Sequence, residues 1–292
     1  MDQAEQLRNL IKANSHPKRP LARVITVTSG KGGVGKSNMS INLAIQFRKL
    51  GQRVVILDAD FGLANIEIMF GAVPKYNLSD LIYQGKGIKE IITWGPMEVG
   101  FISGGSGISG LNNLTKDNLQ CIIQSLAELD EIADTIIIDT GAGISDAVME
   151  FLIASGEILL VTTPEPTSIT DSYSLLKALS RHPKFSKEEI KIKLVANKVQ
   201  RMGDGENLYK KLNAVVERYL KTPMEYLGEV PEDSQLLKAI MQQKPVSMES
   251  PNARSALAYE QIAAKLANRE TTESIKRRGM AAFFSNIFNG RR

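Results

Sequence analysis

Residues 30–37 read Gly-Lys-Gly-Gly-Val-Gly-Lys-Ser and satisfy the pattern G-x-x-x-x-G-K-[ST]. The apolar, β-branched run of residues 23–29 precedes them and predicts a buried strand. Residues 36–50 follow with apolar positions at helical spacing, and Gly51 then predicts the helix end. Such a loop lets backbone N–H groups and the positive end of the helix surround phosphate oxygens. The stretch therefore predicts a phosphate-binding P-loop. Its members are Gly30, Lys31, Gly32, Gly33, Val34, Gly35, Lys36 and Ser37.

Two side chains of this loop carry the expected chemistry. Lys36 is expected to reach the β- and γ-phosphates of a nucleotide, and the Ser37 hydroxyl is expected to bind Mg²⁺. The sequence therefore predicts ATP and Mg²⁺ as ligands, with Lys36 as a catalytic residue.

The rest of the chain predicts an α/β protein with a doubly wound, mostly parallel sheet. Strands that are apolar throughout alternate with helical patterns, which is typical of a sheet covered on both faces. The predicted strands after the first are 53–57, 99–103, 135–138, 157–163, 191–196 and 224–230. The later predicted helices are 115–129, 145–154, 166–181, 205–221, 232–242 and 252–268. We divide the chain into a leader at 1–22, a body at 23–270 and a C-terminal helix at 271–292.

Composition excludes several classes of function. Cys121 is the only cysteine of the 292 residues, so one subunit holds neither a disulfide nor a cysteine-ligated iron–sulfur cluster. The net charge of +4 divides into +3 for residues 1–23, +5 for residues 275–292 and −4 for the body between them. An acidic body argues against specific nucleic-acid binding, whereas the basic ends favour contact with acidic surfaces.

Lys31 is a second lysine that a P-loop does not need for its own phosphates. With it, the loop resembles the deviant Walker A loop of the MinD/ParA ATPases, a class of the SIMIBI P-loop NTPases. The resemblance implies that Lys31 crosses a dimer interface and contacts the phosphates of the second subunit, as an arginine finger does elsewhere. It therefore implies an ATP-dependent homodimer and a Mg²⁺-dependent ATPase.

Two acidic segments resemble the switches of the same class. The segment 58–65 (DADFGLAN) resembles switch I, which implies that Asp58 binds Mg²⁺ through water, Asp60 orients the attacking water and Asn65 stabilises the switch. The segment 139–143 (DTGAG) resembles switch II, with Asp139 as the Walker B carboxylate and Gly141 within the switch. Carboxyl ends of parallel strands meet at one edge, which brings these acids to the P-loop.

The base of the nucleotide has weaker candidates. Asn197 follows the predicted strand 191–196, and Pro231 and Glu232 follow the last strand. Their positions resemble the adenine contacts of the class.

The C-terminal segment predicts a helix with one bulky apolar face. Its members recur at i, i+3, i+4, i+7 and i+8, and basic residues flank them at 276–278 and 291–292. This pattern favours an interfacial helix on an anionic membrane, although a helix packed on the protein's own core has the same period. The face consists of Met280, Phe283, Phe284, Ile287 and Phe288.

The N-terminal residues 2–8 (DQAEQLR) predict a short helix. This leader resembles the activator helix of the FlhG family of flagellar-number regulators, also called FleN or YlxH. The resemblance implies that Gln3, Leu7 and Arg8 bind a flagellar GTPase of the signal-recognition type, with flagellar switch-complex proteins as further partners.

These features together predict an ATPase switch that regulates flagellar number and placement. It would reside in the cytoplasm and bind reversibly to the inner face of the cell membrane. Two alternatives stay open: a MinD-like division-site ATPase, and a transcription-regulating module that holds ATP with little hydrolysis.

Overall fold

The structure is a computed structural model that describes residues 21–60, 65–104, 124–269 and 279–289. Its centre is an eight-stranded sheet with the order β3-β4-β2-β5-β1-β6-β7-β8. The strands are β1 (Arg23–Thr28), β2 (Val54–Ala59), β3 (Thr93–Trp94), β4 (Gly100–Ser103), β5 (Thr135–Thr140), β6 (Glu157–Thr162), β7 (Lys191–Val199) and β8 (Met224–Pro231). All pairings are parallel except β3 with β4. The predicted fold class is confirmed.

Helices cover both faces of the sheet. They are α1 (Lys36–Lys49), α2 (Asn65–Phe70), α3 (Leu78–Gln84), α4 (Ile88–Ile91), α5 (Leu129–Ile132), α6 (Asp146–Ala154), α7 (Pro166–Arg181), α8 (Asp204–Leu220), α9 (Ser234–Met241), α10 (Val246–Glu249), α11 (Arg254–Arg269) and α12 (Met280–Asn289). Within the described ranges, no helix has both the length and the apolar composition needed to span a bilayer.

Side chains alternate along each strand and divide the core into two faces. Ile25 and Val27 of β1 pack with α1 and α11, while Val24 joins the opposite cluster, which includes Ile136 and the apolar residues of α12. The same alternation of Ile56 and Leu57 along β2 serves both layers.

The prediction and the fold differ at the ends of several strands and in the elements β3, α2, α3, α4 and α10, which the sequence did not predict. Asp58 and Asp139 lie within β2 and β5, not after them, because the parallel ladder continues through Asp58↔Asp139 and Ala59↔Thr140. The predicted strand 99–103 corresponds to β4, which begins at Gly100. Only the end of the predicted helix 115–129 lies within the described residues.

A buried network of charged side chains lies where β1 and β6 begin, at the end of these strands that is opposite the P-loop. The guanidinium of Arg23 donates two hydrogen bonds of 2.7 Å to Glu157, and Lys193 donates one of 2.6 Å to the same carboxylate. Arg23 also donates to the carbonyl oxygen of Leu266 in α11, at 2.9 Å. Burial opposes ionisation of Glu157, but Arg23 and Lys193 outweigh it and hold the pKa of this carboxyl below its usual value.

We predict that Arg23→Met lowers the free energy of unfolding by roughly 3–5 kcal/mol, because it removes one partner of a buried charge. Urea denaturation measures this change. The control is Lys210→Met, which breaks an exposed pair with Glu206 and should cost less than about 1 kcal/mol. Equal losses in the two variants would contradict the importance of the buried network.

Candidate nucleotide site

The P-loop connects β1 to α1 and turns on glycines that a side chain would disturb. Gly33 and Gly35 have φ angles of 74° and 101°, in the left-handed region that favours glycine. A Cβ atom at Gly30 would collide with the backbone of Asp171 and Ser172 in α7. Because α1 begins at Lys36, its first N–H groups point into the loop and offer an anion site.

Lys36 is buried beside carboxylates. Its side chain is buried, which lowers the pKa of its ammonium, while the charges of Asp139 and Asp60 act in the opposite direction. The three groups are therefore close enough to interact electrostatically. A phosphate bound in the loop would add negative charge next to Lys36 and favour its charged form.

Asp58 and Asp139 are paired in register on neighbouring strands and are both buried. Burial, followed by repulsion from Asp139, raises the pKa of Asp58 to about 8. Burial also raises the pKa of Asp139 to about 6, although hydrogen bonds from Ser37 and Ser40 lower it. The Ser40 hydroxyl donates to Asp139 Oδ1 at 2.9 Å. The site thus contains carboxylates that lack enough positive charge for full ionisation.

This arrangement fits Mg²⁺. Asp139 Oδ2 is a buried carboxylate oxygen without a hydrogen-bond partner, in a carboxyl group that the Ser37 hydroxyl also reaches. In the described part of the chain, no cluster of three or more His, Cys, Asp or Glu side chains forms a metal cage. Mg²⁺ binds one or two protein groups together with waters and substrate phosphates, so a single carboxylate and a hydroxyl fit it.

The two switch segments meet beside the P-loop. The Asp60 carboxylate lies next to Gly141, where a Cβ atom would be 3.6 Å from Asp60 Oδ1. Asp58 accepts a hydrogen bond from the Asp60 N–H at 3.1 Å, and Asn65 begins α2 directly after the undescribed residues 61–64. The structure therefore brings Asp60 and Gly141 together.

The predicted base-binding residues lie on the other side of the P-loop. Asn197 Nδ2 donates to the carbonyl of Val34 at 2.7 Å, while its Oδ1 atom is buried without a partner. The Glu232 N–H donates to Val199 at 2.9 Å, and Arg254 donates to the Glu232 carbonyl at 3.1 Å. Pro231 ends β8 beside them, at its pairing with Val199.

The sequence matches, over residues 20–267, a family described as ParA, NUBPL iron-transfer P-loop NTPase. The chain belongs to the ParA family of P-loop NTPases. It is 37% identical over 244 residues to the antiactivator FleN of Pseudomonas aeruginosa, covering 84% of this chain and 86% of FleN. It is 32% identical over 295 residues to the flagellum site-determining protein YlxH of Helicobacter pylori, covering 98% of each.

Solved structures agree on the fold. The septum site-determining protein MinD of Pyrococcus horikoshii, complexed with Mg-ADP, has a TM-score of 0.67 and 23% identity, covering 84% of this chain and 96% of MinD. The predicted membership of the MinD/ParA class is confirmed.

In this ParA-family chain Lys31 contacts its own subunit. Its ammonium lies 2.7 Å from Glu165 Oε2 and 2.8 Å from Thr167 Oγ1, at the start of α7. Both partners of this ion pair are partly exposed, so Lys31 is held weakly and is free to exchange partners.

Sequence reasoning missed four side chains of the site: Ser40, Glu165, Thr167 and Lys198. Ser40 had a readable signal, since it lies three residues after Ser37 on one helix face. Lys198, whose φ angle is 56°, donates to the Gly33 carbonyl at 2.8 Å. Nothing local in the sequence indicates that conformation or the partners of Lys31, which lie more than 130 residues away.

The apolar face of α12 is packed on the body. Met280, Phe283, Phe284 and Ile287 are all less than 5% exposed, and the rings of Phe283 and Phe151 stack at 5.9 Å. The side chain of Phe288 and the leader residues Gln3, Leu7 and Arg8 lie outside what the structure describes.

The raised pKa of Asp58 predicts a pH-dependent stability for the nucleotide-free protein. The folded-state pKa of about 8 exceeds the unfolded value of about 3.9, so the folded state binds the extra proton. This group therefore lowers the free energy of unfolding as the pH rises from about 4 to 8. Asp58→Asn should stabilise the protein by at least about 1 kcal/mol more at pH 8 than at pH 5.

Urea denaturation at the two pH values measures this difference. The control is Asp204→Asn, at the partly buried start of α8. A stabilisation by Asp58→Asn that does not change with pH would contradict the buried-carboxylate account.

Proposed function

We propose that this protein is an ATP-dependent dimerising switch that hydrolyses ATP to ADP and phosphate and regulates flagellar number and placement. The observation that carries the proposal is the 32% identity to YlxH over 98% of both chains, in a chain with a complete P-loop. An iron-transfer role has little support, because the chain has a single cysteine. A MinD-like division-site role is the second candidate, supported by 31% identity to MinD of Buchnera aphidicola over 82% of this chain.

The residues of the site divide the hydrolysis among them. The loop N–H groups and Lys36 bind the phosphates, while Ser37, Asp58 and Asp139 would hold Mg²⁺, which would supply positive charge when bound. Asp60 positions a water molecule whose oxygen attacks the γ-phosphorus as the bond to the ADP oxygen breaks, and the proton of that water passes to the released phosphate. Asn197, Pro231 and Glu232 hold the adenine.

Dimerisation requires Lys31 to exchange its partners. The ammonium leaves Glu165 and Thr167 and contacts the phosphates of the second subunit, which carry more charge than one carboxylate. ATP thereby joins the two subunits, and hydrolysis separates them.

We predict that Lys31→Ala binds ATP as the unchanged protein does, because within its own subunit it loses only a partly exposed ion pair. It should stay monomeric, because it lacks the ammonium that contacts the phosphates of the second subunit. Light scattering with ATP and Mg²⁺ measures the mass. Lys187→Ala, at an exposed position away from the loop, is the control and should dimerise. ATP-dependent dimers of Lys31→Ala would refute the trans role of Lys31.

Membrane binding requires α12 to leave the body. Its four buried apolar side chains contribute about 1.5–3 kcal/mol each, and an anionic bilayer offers a comparable apolar environment with attraction for the basic flanks. One helix therefore gains little by moving to a membrane, whereas two helices of a dimer bind together. The protein is thus cytoplasmic and reversibly peripheral on the inner face of the membrane.

We predict that vesicles with anionic lipid co-sediment at least several-fold more protein with ATP than with ADP. The measurement uses Asp60→Ala, which retains ATP because the attacking water is not positioned. Vesicles of neutral lipid are the control and should bind less. Equal sedimentation with ATP and ADP would contradict the coupling of α12 to the nucleotide.

The leader at residues 1–22 gives the switch its flagellar partner. Gln3, Leu7 and Arg8 bind the signal-recognition-type GTPase, and switch-complex proteins are further partners. No specific nucleic acid is required for this role.

Complementation tests the cellular role. A Helicobacter pylori strain that lacks YlxH should regain its normal number and placement of flagella when it expresses this chain. Asp60→Ala should fail, since it cannot reset the switch, although it accumulates to the same level. Failure of the unchanged chain, with restored division-site placement in a strain lacking MinD, would favour the division role.

A further inference from the structure

The two ends of the described chain meet at one buried carboxylate. Asp130, in α5, is 9% exposed and accepts hydrogen bonds from the Met280 N–H at 3.0 Å and 3.1 Å, one to each carboxylate oxygen. It also accepts a hydrogen bond from the Ala22 N–H. Asp130 therefore caps the N-terminus of α12 and holds the residue that precedes β1.

A direct backbone contact links the same two ends. The Gly279 N–H donates to the carbonyl oxygen of Ala22 at 3.0 Å. Ala22 thus binds α12 with its carbonyl and Asp130 with its N–H, so the start of β1 and the start of α12 share one set of hydrogen bonds.

Only glycine fits at position 279. Its φ angle is 89°, and a Cβ atom there would lie 2.8 Å from Asp130 Oδ2 and 3.2 Å from Leu21 Cδ1. The close approach of Leu21, Gly279 and Asp130 is therefore built for an unsubstituted backbone.

Arg23, the residue that follows Ala22, is anchored much more firmly than the residues before it. Arg23 is buried and is tied to Glu157 and to the Leu266 carbonyl of α11. Leu21, in contrast, is half-exposed. A pull on the chain from the N-terminal side would therefore be stopped at Arg23 and would act first on the hydrogen bonds of Ala22.

We infer that Asp130, Ala22, Gly279 and Met280 form a terminal latch that couples the segment before β1 to the release of α12. Displacement of the chain at Leu21 and Ala22 removes the hydrogen bond between Gly279 and Ala22, which holds the start of α12, and the hydrogen bond from Ala22 to Asp130, which helps to position the cap. A partner that binds the leader would thus promote release of the helix. This consequence for membranes rests on the proposed function, whereas the latch itself does not.

Hydrogen exchange measured by mass spectrometry tests the latch in the nucleotide-free full chain, without membranes. Asp130→Ala should increase the opening equilibrium of α12 about five-fold or more, which corresponds to about 1 kcal/mol for a lost helix cap. Asp130→Asn keeps one acceptor oxygen and should lie between. Glu128→Ala, an exposed acid of the same segment, is the control and should change nothing.

A second variant tests the coupling, because a change at one end of the latch is measured at the other end. Gly279→Ala leaves Asp130 in place but disturbs the start of α12, and it should also increase exchange at Ala22, on the other end of the chain. Gly51→Ala is the matched control, because it has a φ angle of 85° but open space around the added Cβ atom. It should increase exchange at neither end.

The protection of α11 and β8 from hydrogen exchange should stay unchanged in every variant. This measurement therefore distinguishes opening of the latch from general unfolding. If Asp130→Ala leaves the exchange of α12 unchanged, Asp130 does not hold the helix. If Gly279→Ala loosens α12 but not Ala22, the two ends are not coupled. Either result overturns the inference, and neither depends on ATP hydrolysis or flagellar function.

Discussion

The structure depends on one constraint: β2 and β5 end side by side and bury Asp58 and Asp139 against the P-loop. Burial, followed by repulsion from Asp139, raises the pKa of Asp58 to about 8, and burial raises that of Asp139 to about 6, although Lys36 is a nearby cation. Such a site is costly for stability and is relieved by a divalent cation. The burial of these carboxylates therefore supports the proposed binding of Mg²⁺ with a nucleotide.

The sheet carries this site to the rest of the molecule. Asp139 is in β5, whose two neighbours are β1 and β2, so both switch segments and the P-loop extend from adjacent strands. The other end of β1, where the strand begins after Ala22, lies next to Asp130 and α12. The nucleotide site and the C-terminal helix are thus linked through the same central strands, one at each end of β1.

The sequence was sufficient for the P-loop, the parallel sheet and the acids at its edge, because each has a local signature. Asp58 and Asp139 were placed after their strands, because a polar residue ends an apolar run even where the ladder continues. The two-residue strand β3 has no periodicity to detect. The packing of α12 on the body could not be predicted either. An apolar helical face has the same pattern whether it binds a membrane or packs against core residues such as Phe151. The partners of Lys31 depend on tertiary contacts with α7.

The central claim is that ATP moves α12 from its seat on the body. Pulsed electron paramagnetic resonance measures this directly, with spin labels on cysteines that replace the exposed residues Ala282 and Lys210 in a chain without Cys121. Without nucleotide, and with ADP, the account predicts one narrow distance distribution. With ATP in the Asp60→Ala background, it predicts a broad distribution at different distances. An unchanged narrow distribution with ATP, in protein that has dimerised, would contradict the account.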